Sequence, residues 1–180
     1  MKIIIDPGHS GPTEPGACMA GVQECDVVLS IAKLLGDHLY EAGHEIWLTR
    51  TGDIETDDLS FRAKIAKDNG ADVFVSIHAN SAVNIAAHGT ETYYYPGSAE
   101  GQRLAECIQT RLIDALATVD RGVKEARFQV LRETNCPAVL VEVAFISNDT
   151  DRQALTAYAC QLAAALAIVA GIEDYTAKEN

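Results

Sequence analysis

The chain has 180 residues, 48% of them apolar, enough to bury one core but not to build a second domain of ordinary size. With 26 acidic against 14 basic residues the net charge is −12, which argues against nucleic acid and anionic lipid as partners, because both require clustered Lys and Arg. Cys18, Cys25, Cys107, Cys136 and Cys160 form no C-x-x-C pair, so a disulfide framework or a four-cysteine zinc knuckle is not expected, and they read as small hydrophobes of a reducing compartment.

Residues 2–6 are β-branched and continuous, which predicts a buried strand ended by Pro7-Gly8. Residues 7–22, rich in Gly, Pro and Ser, read as a loop. From Glu24 to Ala42 the apolar positions Val27, Ile31, Leu34, Leu35 and Leu39 recur at helical spacing, and Gly43 ends the helix. Residues 45–50 predict a short strand. Asp57 or Asp58 can cap a helix over 59–69 that stops at Asn69-Gly70. Residues 72–78 predict a second apolar strand, and 89–95 a β-rich segment nearer an edge, because it carries polar residues. A helix follows over 98–117, with Leu104, Ile108, Leu112 and Leu116 on one stripe, and then a short strand over 127–132. Pro137 opens a third apolar strand over 139–145. Asp149 or Asp151 can cap a final helix to about Ala170, its stripe including Leu155, Tyr158, Leu162, Leu166 and Val169. Residues 1–174 then form one domain and 175–180 a polar, frayed tail.

Strands alternating with amphipathic helices imply an α/β fold with a largely parallel sheet covered on both faces. Met1-Lys2-Ile3-Ile4-Ile5-Asp6 meets an acid after three apolar residues and cannot serve as a signal peptide. The apolar run Leu162 to Ile172 is too short to span a bilayer. Synthesis in the cytoplasm without an export address, no membrane insertion and a monomeric state are therefore expected.

His9 and His78 each follow an apolar strand pattern, and the carboxyl ends of strands line the ligand crevice of an open α/β sheet. Two imidazoles there suggest a metal. Glu24 opens the helix that follows the His9 loop. It reads either as an acidic first-turn residue suited to the helix dipole or as a third ligand at the same end of the sheet. His9, Glu24 and His78 would leave a fourth position open, the pattern of a catalytic rather than a structural zinc. Glu142 interrupts the third apolar strand, where an unpaired carboxylate costs several kcal/mol. It forms a structural salt bridge, for instance with Arg62 or Arg132, or it acts as the proton carrier beside the zinc. His38 and His44 read as surface or helix-end residues, His88 as a loop residue able to line the cleft, and Cys18 and Cys25 as lesser competitors for the metal. Tyr93 to Tyr95 offer either strand packing or a sugar-stacking face.

Asp6-Pro7-Gly8-His9, Pro15-Gly16-Ala17, Glu24, Leu48-Thr49-Arg50, Ser76-Ile77-His78-Ala79-Asn80, Arg121-Gly122-Val123-Lys124, Val130-Leu131-Arg132, Pro137 to Glu142 and Phe145-Ile146-Ser147-Asn148 occur in that order. As an ordered set over nearly the whole chain, they resemble the amidase 3 catalytic-domain family of zinc-dependent N-acetylmuramoyl-L-alanine amidases. The resemblance implies a six-stranded mixed sheet flanked by helices. It also implies one zinc held by His9, Glu24 and His78, a catalytic Glu142, and cleavage of the amide between N-acetylmuramic acid and the L-alanine of peptidoglycan. Asn80 is placed to orient substrate. Two departures stand out. Ser10 follows the first histidine where the family usually has Gly, which implies strain if that position needs φ > 0. The short stretch after Asn80 leaves no room for the inhibitory helix of some members, so an uncovered site is expected. A phage lysin and a trimmed domain of a secreted enzyme both fit, acting on the cell wall. The rival readings are a zinc peptidase or deacylase on another amide, and an inactive wall-binding module.

Overall fold

The computed structural model describes residues 1–54 and 58–177. The core of the fold is a mixed sheet. β1 (Lys2–Pro7) is followed by a small hairpin of β2 (Cys18–Met19) and β3 (Val22–Gln23) inside the stretch expected to be loop. α1 (Glu24–Glu41) leads to β4 (Glu45–Leu48), and α2 (Leu59–Asn69) to β5 (Val73–Asn80). β6 (Thr90–Tyr94), α3 (Ala99–Leu116), β7 (Asp120–Glu125), α4 (Gln129–Glu133) and β8 (Ala138–Phe145) follow, then α5 (Asp149–Thr156) and α6 (Tyr158–Ala177). The six-stranded sheet has the order β4-β1-β5-β8-β6-β7. Its first four strands are parallel, β6 runs antiparallel to β8, and β7 is parallel to β6 at the edge.

Alternate residues of each strand enter opposite layers, as a pleated strand requires. Ile3, Ile5, Val73, Val75, Ile77, Val139 and Val141 pack under α1, α3 and α6. Ile4, Phe74, Ala138 and Leu140 face the other way, against Ala66 of α2 and Val130 and Leu131 of α4. These two short helices cover only the amino-terminal half of that face. The next residues of the same parity, Asp6, Ser76, His78 and Glu142, lie at its carboxyl end.

α2 begins where expected, with the Asp58 carboxylate accepting from the amides of Ser60 and Phe61, and ends at Gly70 in the left-handed conformation. Asp57, the alternative cap, lies outside the described residues. Other expectations are corrected. The strand expected over 127–132 is instead β7 at 120–125, and 129–133 is helical. The Arg132 amide donates to Phe128 O, closing a helical turn, and the turn packs Val130 and Leu131 against Ile4 and Phe74 of the sheet. The final helix is broken at Ala157 into α5 and α6, which meet at 83°. Asn148, not Asp149 or Asp151, caps α5, accepting from the amides of Thr150 and Asp151. Of the expected stripe, Leu155 and Val169 are buried but Tyr158 and Leu166 are exposed, and α6 also buries Ala164, Ala165, Ile168, Gly171 and Ile172. Gly171 sits against the Ile108 backbone, where a Cβ would come within 2.6 Å of its Cα. Finally, α6 continues past residue 174, and Tyr175 is buried with its hydroxyl 3.0 Å from Glu100.

All five cysteines are free of disulfides. Among the described residues no single helix is long and apolar enough to cross a membrane.

Candidate metal centre and active site

The site forms where β1 and β5 end. Beneath it lies a buried polar network. The Asp6 carboxylate accepts from Thr49 Oγ1 at 2.6 Å, Ser76 Oγ at 2.7 Å and Arg62 Nη1 at 2.7 Å. Arg62 also donates to the carbonyls of Pro7 and His9, and Arg50 to those of Pro7, Gly8 and Cys25. Two guanidiniums thus satisfy the carbonyls of the turn that leaves β1, while the Gly8 amide still bonds to Ile77 O of β5. They hold His9 in the left-handed region at φ 64.

That turn settles the question raised by Ser10. The left-handed residues are His9 and Gly11, at φ 64 and 129, and Ser10 is not one of them. Ser10 carries no left-handed strain. It is fully buried, and its Oγ has no hydrogen-bond partner among the described residues.

Glu24 starts α1, and residues 15–17 fold back onto it: its amide donates to Ala17 O and that of Cys25 to Pro15 O. The Glu24 carboxylate is 5% exposed. Oε1 lies 2.9 Å from His78 Nδ1 and accepts from the Ala79 amide at 3.0 Å. Oε2 lies 3.0 Å from His9 Nε2 and accepts from the Ala17 amide at 2.9 Å. One donor atom from each of His9, Glu24 and His78 lies within 4.8 Å of the other two. Two imidazole nitrogens and a carboxylate oxygen suit zinc and leave room for a fourth ligand. Two glycines keep the space clear. A Cβ on Gly8 would come within 2.3 Å of the His78 ring, and one on Gly16 within 2.4 Å of the His9 ring and 2.6 Å of Glu24 Oε2.

The next strands carry the other acids in one row. His78 is in register with Glu142, and Glu142 with Glu91. Neither expected salt-bridge partner reaches Glu142, since Arg62 pairs with Asp6 and Arg132 with Glu133. Glu142 Oε2 is buried without a hydrogen-bond partner among the described residues. Burial, assisted by Glu24 and Glu91 and opposed by His78, pushes its carboxyl up to about 7. Glu24 moves the other way. Burial disfavours its charge, but hydrogen bonds from His78 and His9 outweigh that and hold it well below the ordinary carboxylate range. Burial likewise opposes a charge on His9, yet Glu24 and Glu14 raise it to about 9.

Two participants were missed from the sequence. Glu14 Oε2 lies 2.7 Å from His9 Nδ1 and fixes the ring so that Nε2 faces Glu24; such a carboxylate behind a histidine is a recurrent support for metal ligands. Its one signal is that it is the only acid in residues 7–22. Glu91, 2% exposed, accepts from Asn80 Nδ2 and the Tyr93 hydroxyl, both at 2.7 Å. The Asn80 carboxamide thus braces Glu91, and its Oδ1 takes the Ser81 amide.

The remaining residues lie elsewhere. His88 borders a separate apolar cavity of about 430 Å³ beside α5 and α6. His38 stands near Glu41 and His44 near the amino terminus, while Cys18 and Cys25 are outside the cluster. Tyr94 is buried in the α3 layer, and Tyr93 and Tyr95 pack on the opposite core. No helix occurs in residues 81–89.

A family model described as N-acetylmuramoyl-L-alanine amidase matches residues 3–174. The uncharacterized protein YqiI of Bacillus subtilis is 41% identical over 178 residues, covering 96% of this chain and 84% of that protein. The N-acetylmuramoyl-L-alanine amidase LytC of B. subtilis is also 41% identical, over 175 residues, covering 96% of this chain but 35% of LytC. The chain thus spans about a third of the length of LytC. The crystal structure of an N-acetylmuramoyl-L-alanine amidase from Clostridium difficile 630 superposes with a TM-score of 0.94 at 34% identity, covering 99% of this chain and 98% of that one. By sequence and by fold, the chain belongs to the N-acetylmuramoyl-L-alanine amidase family, and its single α/β domain is an amidase catalytic domain.

Proposed function

We propose that the chain hydrolyses the amide between the lactyl group of N-acetylmuramic acid and the L-alanine of the peptidoglycan stem. In this reading zinc is held by His9, Glu24 and His78, and Glu142 carries the proton. The observation behind this is the convergence of three donor atoms within 4.8 Å of one another at the end of β5, in register with a carboxyl on the neighbouring strand that has an unpartnered oxygen. Zinc, when bound, supplies Lewis acidity that polarises the scissile carbonyl and acidifies water. The protein supplies the rest. Glu14 orients His9, and the amides of Ala17 and Ala79 aim the Glu24 carboxylate. Glu142 takes a proton from the attacking water and returns it to the departing amine of L-alanine, a task suited to a carboxyl raised to about 7. Retention of all four groups speaks against an inactive wall-binding module. Lysis and remodelling of the wall both use this cleavage.

Mass spectrometry of peptidoglycan digested with the zinc-loaded protein is expected to show intact stem peptides with free L-alanine amino termini. New ends elsewhere in the peptide would instead identify a peptidase. Glu142→Gln is expected to bind zinc like the parent and to turn over about 10²- to 10⁴-fold more slowly. Near-parental turnover would remove Glu142 from the mechanism.

A further inference from the structure

Glu91 carries more positive charge than it needs. Arg121 Nε lies 2.7 Å from its Oε2, and Lys124 Nζ contacts the same oxygen. One cation would balance one carboxylate, so the trio keeps a net positive charge. Both cations remain accessible, their side chains 33% and 38% exposed, over a carboxylate that is almost fully enclosed. The Arg121 guanidinium lies 4.7 Å from the centre of the Phe145 ring, and Lys124 Nζ lies 5.9 Å from that of Tyr93. Aromatic faces thus hold both cations in place.

Its position is set by the sheet. Glu91 lies in the same row as Glu142 and His78, two strands from His78, or about 10 Å at ordinary strand spacing. A stem peptide leaving the scissile amide advances about 3.5 Å per extended residue. A carboxylate on its second residue comes to about the distance of Arg121 and Lys124, whereas those farther along the stem overshoot. A guanidinium and an ammonium side by side are suited to binding a carboxylate.

We propose that Arg121 and Lys124, seated on Glu91, form an anion subsite that recognises the free α-carboxylate on the second residue of the stem peptide. The subsite would discriminate against peptides in which that carboxylate is amidated. This rests on the amidase reading of the metal cluster.

The test uses the zinc-loaded protein and two muramoyl peptides that differ only in carboxylate or carboxamide at that position. The parent is expected to favour the carboxylate in kcat/KM by about tenfold or more, mostly through KM, as for loss of a charged hydrogen bond. In Arg121→Gln/Lys124→Gln the ratio of the two substrates should fall to within about twofold of one. Because that variant leaves Glu91 without its cations, Glu91→Gln/Arg121→Gln/Lys124→Gln serves as a second variant that leaves no unpaired charge behind and should lose the preference as well. Equal cleavage of both peptides by the parent would overturn the subsite while leaving the amidase reading intact. A preference that survives in both variants would also overturn it. Cleavage of neither peptide by the parent would overturn the amidase reading, and the subsite with it.

Discussion

His9 occupies a backbone conformation that glycine adopts freely and a β-carbon resists, at roughly 1–2 kcal/mol. It stays there because Arg50 and Arg62 hold the carbonyls of Pro7, Gly8 and His9 while Glu14 holds the ring. Gly16 is the complementary case. Its φ of +70 and the His9 ring 2.4 Å from a would-be Cβ both demand glycine, whereas Gly21, at φ +81, has nothing within 4 Å. Both Gly16→Ala and Gly21→Ala therefore incur backbone strain of about 1 kcal/mol, but only Gly16→Ala displaces His9 and Glu24. Thermal melts with and without zinc should separate them. Zinc at 100 times its Kd adds about 2.7 kcal/mol to a protein that binds it only when folded. That increment is expected in the parent and in Gly21→Ala and should be lost in Gly16→Ala. An undiminished increment in Gly16→Ala would show that the cluster is not the metal site.

At the scale of elements, the long-period patterns were legible and the breaks were not. α1, α2 and α3 emerge from apolar spacing within a residue or two of their expected ends. The break at Ala157 has no Gly or Pro to announce it. Gln161 bridges it, its Nε2 donating to Leu155 O at 2.7 Å and its Oε1 accepting from Ser30 Oγ of α1 at 2.7 Å, a long-range partner that local spacing does not encode. The same holds for the site. His9, His78 and Glu142 were visible as polar residues ending or interrupting apolar strands, and Glu24 by its place on the helix that follows. The role of Glu91 depends on partners 30 and 33 residues away, brought together by β6–β7 pairing. Asp151 was expected at most as a cap, yet it ties elements together. Its Oδ2 accepts from the Gly89 amide at 2.9 Å and the Phe145 amide at 2.8 Å, joining α5 to β8 and to the entry of β6. Asp151→Ala leaves both buried donors unpaired and is expected to destabilise the fold by about 2–4 kcal/mol in urea titrations. A loss below about 0.5 kcal/mol, the scale of an ordinary surface substitution, would show that the two amides find other partners.

Across the whole molecule, acid stability gathers where buried carboxylates are held ionised. For Glu91 burial favours the neutral form, but hydrogen bonds from Lys124, Tyr93 and Arg121 prevail and lower its carboxyl to about 2. A group depressed on folding contributes stability above its unfolded value, near 4.3, and loses that contribution as pH falls toward the folded value. Denaturant midpoints measured from pH 6 to pH 2 should therefore fall more steeply between about pH 4.3 and 2 in the parent than in Glu91→Gln. Parallel curves would show that Glu91 is no better stabilised in the folded protein than in the unfolded chain.

The two-layer alternation of the strands has one more consequence. His78, Glu142 and Glu91 share a row only because β5, β8 and β6 pair as they do. A slip of β8 by a single residue would set Val141 or Val143 beside His78 and drive the Glu142 carboxylate into the aliphatic layer under α3 and α6. Mispairing is thus punished twice, once by a charge in oil and once by a valine where the reaction needs an acid. The chain cannot assemble a slightly wrong active site: correct pairing brings the whole row together, and any slip disperses it.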